Sequence, residues 1–160
     1  MRFLSFIFIL ISCLNAQTKV DEKELNEFIR KNFKDYMLFP KAIIKKHYKN
    51  IILVDFASAG ATTNYRAIII KDKHFQVGKL EKDGLKMDGV FVVGGGGSGR
   101  YYLDVDLNKS YLKIYEYSIY GKREDYCKVE VYKLEKNVFR YNKEMSEIEE
   151  KTYCKKILSK

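Results

Sequence analysis

The stretch Val92–Leu107, VVGGGGSGRYYLDVDL, decides how the chain is read. Five of its first eight residues are glycine. Gly94, Gly96 and Gly99 satisfy G-x-G-x-x-G, a spacing that holds pyrophosphate when the loop opens a helix whose N-terminal amides face the anion. The residues after this loop alternate instead. Tyr101, Leu103, Val105 and Leu107 share one face at a period of two, which describes a strand and offers no helix N-terminus. Arg100-Tyr101 also stands where a P-loop needs Lys followed by Ser or Thr. A nucleotide site is therefore set aside. The glycines remain as a connection or a tip between two strands, with a cation and an amphipathic ring at its exit.

The same alternation extends in both directions. IILVDFAS, YRAIIIKD, HFQVGKLE and VFVVGG lie on one side, and YLKIYEYSIY, YCKVEVYKL and VFRYNKE on the other, all rich in Val, Ile, Tyr and Phe. Short turns separate many of them: Lys71-Asp72-Lys73, Lys82-Asp83-Gly84, Asp88-Gly89, Asn108-Lys109-Ser110 and Glu135-Lys136-Asn137. The spacing predicts an antiparallel meander of roughly seven to eight strands over about 50–160. Ahead of it, DEKELNEFIRKNFKDYMLF carries Leu25, Phe28, Ile29, Phe33, Tyr36 and Met37 at helical spacing, with Asp21 as N-cap and Pro40 as a stop. The expected fold class is α+β: an N-terminal amphipathic helix, about 21–38, packed on a twisted antiparallel β-sheet or half-barrel. KAIIKKHYKN reads as a short helix or a basic connection, and MSEIEE as one helical turn before a last strand. No linker divides two cores, so 17–160 is expected to be a single domain.

The chain opens MRFLSFIFILISCLNAQ, with Arg2 as a positive start, an apolar run from Phe3 to Ile11, and Leu14-Asn15-Ala16 before Gln17. This is the layout of a secretory signal peptide, residues 1–16. The apolar run is half of the about 20 residues a spanning helix needs. Leu10-Ile11-Ser12-Cys13 also resembles a lipoprotein box, in which Cys13 would be lipidated and the protein held at the membrane. Either route predicts an exported protein, periplasmic or secreted, or lipid-anchored in the envelope. Removing 1–16 takes away Arg2 and no acid, so 29 bases face 21 acids, a net charge of +8. Cys127 and Cys154 then form an even pair in an exported chain, and a structural disulfide between them is expected.

LVDFASAGATTNYRAIII and VFVVGGGGSGRYYLDVDL share a plan: an apolar strand, small residues, tyrosine, a second strand. The second resembles the central segment of the periplasmic inhibitors of invertebrate-type lysozyme, on Ser98, Gly99 and Tyr101. In that family a Ser-Gly-x-Tyr loop enters the lysozyme cleft. The resemblance covers about twenty residues and implies a partner-binding site at Ser98, Gly99, Arg100 and Tyr101. The shared plan adds Ser58 and Tyr65 from the first loop.

Other chemistry is thinly represented. Asp104 and Asp106 share a strand face and could form an acid pair or a hard-cation site, but such pairs are usually a solvated face. His47 and His74 lack metal-ligand spacing, and no G-x-S-x-G elbow accompanies Ser58 or Ser98. Tyr111, Tyr115 and Tyr117 share a face with Lys113, a pattern that stacks ligands or simply covers a sheet. The expected function is an exported, non-catalytic binding module without cofactor or metal, acting on a protein partner in the manner of a lysozyme inhibitor. The alternative is a basic envelope protein that binds an anionic partner. No nucleic acid is expected, and a membrane only through Cys13.

Overall fold

The computed structural model describes residues 20–95, 101–118 and 126–159. Residues 1–16, expected from the sequence to be a signal peptide, with Cys13, and Ser98, Gly99 and Arg100, lie outside them. Asp21 caps helix α1, Glu22–Asn32, its carboxylate accepting from the amides of Lys23 and Glu24 at 3.0 Å each. Leu25 and Ile29 are buried from this helix. Eleven strands follow among the described residues: β1 Leu38–Tyr48, β2 Ile51–Gly60, β3 Thr63–Lys71, β4 Phe75–Val77, β5 Lys79–Lys82, β6 Leu85–Asp88, β7 Val90–Gly95, β8 Tyr101–Asn108, β9 Tyr111–Ser118, β10 Tyr126–Glu135 and β11 Val138–Tyr141. Helix α2, Lys143–Leu158, closes the chain. The strands form one sheet in the order β1-β2-β3-β7-β8-β9-β10-β11-β5-β6, with β4 on β3.

The expected fold class is corrected on five points. The helix stops at Asn32, not near 38. Phe39 precedes Pro40, which favours extended backbone, and Leu38–Tyr48 is a strand rather than a connection. Phe33 and Tyr36 still reach the helix-side core, with ring centroids 4.3 and 5.4 Å from Phe56, so their spacing had imitated a longer helix. The sheet has eleven strands, not seven or eight. It is not a meander, because β11 pairs with β5 in parallel, Phe139 opposite Leu80. Finally, the C-terminal segment is a sixteen-residue helix rather than one turn and a strand. Its only buried residues are Ser146 and Cys154, so it carries no apolar stripe to betray it.

Strands β2 and β3 explain their own unbroken apolar runs. Ile52, Val54, Phe56, Ala67 and Ile69 face α1, while Ile51, Leu53, Ile68 and Ile70 face the interior of the curled sheet. Both faces are covered, so alternation is lost. Each such aliphatic or aromatic side chain contributes about 1.5–3 kcal/mol on burial. The interior also takes Leu80, Val105, Leu107, Leu112, Tyr132 and Phe139.

Gly78 and Gly89 let the sheet curl. The Gly78 amide donates to the Ile68 carbonyl, the Ile68 amide to Gly89, and the Gly89 amide to Gly78, all at 2.8 Å. This ring of bonds turns Phe75–Lys82 away from β3 toward β11, and delivers Val90 back to Ala67 of β3. A Cβ at Gly89 would meet Ile68 at 2.8 Å and the Gly78 carbonyl at 3.0 Å. Asp88-Gly89 is therefore a branch point, not the turn its residues suggest.

Helix α2 lies over β9 and β10. Tyr115 stacks on Tyr153 at 4.6 Å, and Lys113 pairs with Glu149 at 2.6 Å. The tyrosine face of β9 is thus covered by protein. Cys127 on β10 is bridged to Cys154 on α2, with Cα atoms 5.6 Å apart. The sequence separation is 27 residues. Removing the bridge with Cys127→Ser/Cys154→Ser is expected to lower the unfolding free energy by about 3–4 kcal/mol in the chain-entropy treatment. Urea titration checks this, and a change below about 1 kcal/mol would mean that α2 is held without the bridge.

Candidate functional site

The register of the strands gathers the β2–β3 turn and the ends of β7, β8, β9 and β10 at one end. Thr63 of β3 pairs with Gly94 of β7, so the β2–β3 turn lies beside the start of the glycine segment. The Thr62 hydroxyl donates to the Gly95 carbonyl. Tyr101 at the start of β8 pairs with Ser118 at the end of β9, which pairs in turn with Tyr126. The end of β7, the start of β8, the end of β9 and the start of β10 therefore lie at this same end. The small residues of the β2–β3 turn and Gly94–Gly95 are neighbours.

Next to them, between β1–β3 and β8, lies a cleft of about 390 Å³. Its floor is Arg66, 8% exposed. The guanidinium donates through Nε and Nη2 to the two carboxylate oxygens of Asp55, at 2.5 and 3.2 Å. Nη1 reaches Asp104 Oδ1 at 2.5 Å and the Val105 carbonyl at 2.9 Å. Burial works against the charge on Arg66, but Asp55 and then Asp104 outweigh it and hold the guanidinium above its usual value. Asp55 is itself 3% exposed. The bidentate geometry suits a buried pair, and neither partner could be left alone there without a large desolvation penalty.

Asp104 and Asp106 do share a face, as their spacing requires. Each meets a cation, however: Asp104 meets Arg66, and Asp106 lies 3.6 Å from Lys46. The acid-pair and hard-cation readings are not supported, and among the described residues no cluster of three His, Cys, Asp or Glu could hold a metal. Tyr102 lines the cleft wall, its ring 5.0 Å from that of Tyr117. Burial, then the charge of Asp104, pushes its hydroxyl above the usual range.

Of the six residues singled out in the sequence, Ser58, Tyr65 and Tyr101 are among the described residues, and these three do not share one surface. Ser98, Gly99 and Arg100 lie outside the described residues. Tyr101 begins β8 but points away from the cleft, since neighbours in a strand face opposite ways. Its hydroxyl donates to Glu116 at 2.9 Å, and Tyr126 reaches the other oxygen of Glu116 at 3.4 Å. Burial and this carboxylate push the Tyr101 hydroxyl up to about 12, yet the residue stays 44% exposed. Ser58 pairs with Asn64 and hydrogen-bonds the Gly60 carbonyl at 3.2 Å, shaping the turn. Tyr65 belongs to the other face, packed edge-on against Tyr36 at 4.7 Å, so it is not brought to the cleft.

A second ionic cluster lies inside the curl. Glu130 accepts from Lys82 at 2.6 Å, Lys128 at 2.7 Å and Tyr132 at 2.8 Å. Burial raises its carboxyl, but these donors, Lys128 foremost, prevail and hold it at about 2. Every member is paired, so it is a structural plug rather than a reactive group.

Sequence reasoning missed Asp55 and Arg66. The signal was a lone acid in IILVDFA and a lone base in YRAIII, on two arms of one hairpin. Compared with known proteins, the chain matches no family model, no curated protein and no solved structure.

Proposed function

We propose that the protein is an exported, non-catalytic binding module that meets a protein partner with the end where its hairpin connections gather. One observation carries this reading: the Thr63–Gly94 pairing and the Thr62–Gly95 hydrogen bond hold the β2–β3 turn against Gly94 and Gly95 at one end of the sheet. The same end exposes Met37, Tyr101 and Tyr126. Tyrosines that are half exposed and tethered by a hydroxyl make good interface anchors, because little rotamer freedom is left to lose.

The first partner class to test is lysozyme of the invertebrate type, on the resemblance at Ser98, Gly99 and Tyr101. The +8 charge favours an acidic member. Titrating the oxidised protein against acidic and basic lysozymes is expected to give stoichiometric inhibition of an acidic one. Tyr101→Ala should weaken it about tenfold or more without loss of fold. Inhibition untouched by both Tyr101→Ala and Tyr126→Ala would remove this end as the contact surface. Absence of inhibition, with steeply salt-dependent binding to a polyanion, would instead favour the diffuse basic charge.

A further inference from the structure

We infer that the cleft over Arg66 is a binding site for a neutral, hydroxyl-rich ligand, of the chemistry of a short saccharide. This goes beyond the hairpin-tip reading: the cleft borders the tip through Thr62 and Gly94, but Tyr102, Asp104 and Asp106 lie on the opposite face of β8 from Tyr101.

The argument begins with charge. Lys45, Lys46 and Arg66 are matched by Asp55, Asp104 and Asp106, three against three, in a chain that is otherwise strongly basic. Arg66 spends its donors on Asp55, Asp104 and a carbonyl, so it has little left for an incoming phosphate or carboxylate. An anion would also meet Asp104 and Asp106. A metal cation would meet the two lysines. Neither net charge is welcome.

The unused hydrogen-bonding capacity is mixed in kind. Asp104 Oδ1 accepts from Arg66 and from the Val105 amide, which leaves Oδ2 open on a side chain 40% exposed. Asp106 is 3.6 Å from Lys46, beyond hydrogen-bond reach, so its oxygens are also available. The Asn64 amide, the Lys45 ammonium and the Tyr102 hydroxyl have no partner among the described residues. Acceptors and donors therefore alternate around one hollow. A ligand that matches them carries many groups that both donate and accept, which is the character of hydroxyls. Hydroxyl donors to carboxylates make the stronger, charge-assisted class of bond. Asp104 is fixed by Arg66, so part of the site is ordered before the ligand arrives. The cleft volume, about 390 Å³, is near the lower end for ligand sites and suits about one or two sugar rings.

The test is an amide chemical-shift titration of the oxidised chain with maltotriose, chitotriose and mannotriose, alongside triglycine and tripolyphosphate. At least one trisaccharide should shift the amides of Asn64 and Tyr102–Asp106 saturably, with a Kd near about 1 mM or below. Asn64→Ala and Asp106→Asn should each weaken it about tenfold or more. Neither side chain holds the Arg66 cluster together, so both variants should fold, with unchanged melting curves. No saturable shift with any trisaccharide up to about 10 mM would overturn the proposal. So would tighter occupancy by triglycine or tripolyphosphate, or an affinity indifferent to both substitutions. Tyr101→Ala should leave saccharide binding unchanged, which separates this site from the hairpin tip.

Discussion

Asp55→Ala is expected to lower the unfolding free energy by about 3–5 kcal/mol, a large fraction of the about 5–15 kcal/mol that holds a typical domain together. Arg66 would remain 8% exposed, having lost its bidentate partner. Asp104 alone cannot replace it, because its side chain is 40% exposed and its attraction is partly screened by water. The same argument makes Asp104→Asn milder, at about 1 kcal/mol. Urea unfolding at neutral pH measures both. Asp55→Leu/Arg66→Met should recover much of the loss, since removing a buried pair together leaves no orphaned charge. If Asp55→Ala cost no more than Asp104→Asn, Arg66 would be held chiefly by something other than Asp55.

Gly94→Ala is expected to cost about 3 kcal/mol or more. Two penalties combine at this position. Its φ is +106°, a region that side-chain-bearing residues rarely adopt. A Cβ there would also sit well inside van der Waals contact of the Thr62 carbonyl oxygen, which belongs to backbone and cannot swing away. The β2–β3 turn and the glycine segment would have to part, so the variant should also weaken partner binding. Gly84 is the control. Its φ is +80°, but nothing lies within 4 Å of the added carbon. Gly84→Ala should therefore cost only about 1 kcal/mol. Melting temperatures of the two variants decide the matter, and equal losses would show that crowding against Thr62 contributes nothing.

Local rules were legible where a few residues settle the geometry. Asp21 was recognisable as a cap because its carboxylate serves amides only two and three residues away. Lys82-Asp83-Gly84 and Glu135-Lys136-Asn137 were recognisable as turns, and Asp83, Gly84, Lys136 and Asn137 all have positive φ, as tight hairpins require. The alternation of Leu103, Val105 and Leu107 named their shared face. Partner choice was not legible in the same way. A period of two says which face of Lys79–Lys82 is buried, but not that Val138–Arg140 will lie beside it. The Asp55–Arg66 pair was nearly visible, with opposite charges set back from one turn. Bulges between Asp55 and Ala57 and between Ser58 and Gly60 defeat a simple count across that hairpin.

The parallel seam between β5 and β11 has a consequence for how the chain reaches its final form. Lys79 meets Val138, and Glu81 meets Arg140, across the longest gap in sequence of any strand pair. When the polypeptide is made or delivered from its N-terminus, α1 and β1–β3 are complete while the partner of Lys79–Lys82 has yet to emerge. That short segment must wait with one edge open until the last described strand, β11, arrives. Distant contacts of this kind are assembled slowly, because a long intervening loop must be closed first. The seam is thus a checkpoint for completeness: a chain cut short before Val138 keeps its first hairpins but never zips the interior shut.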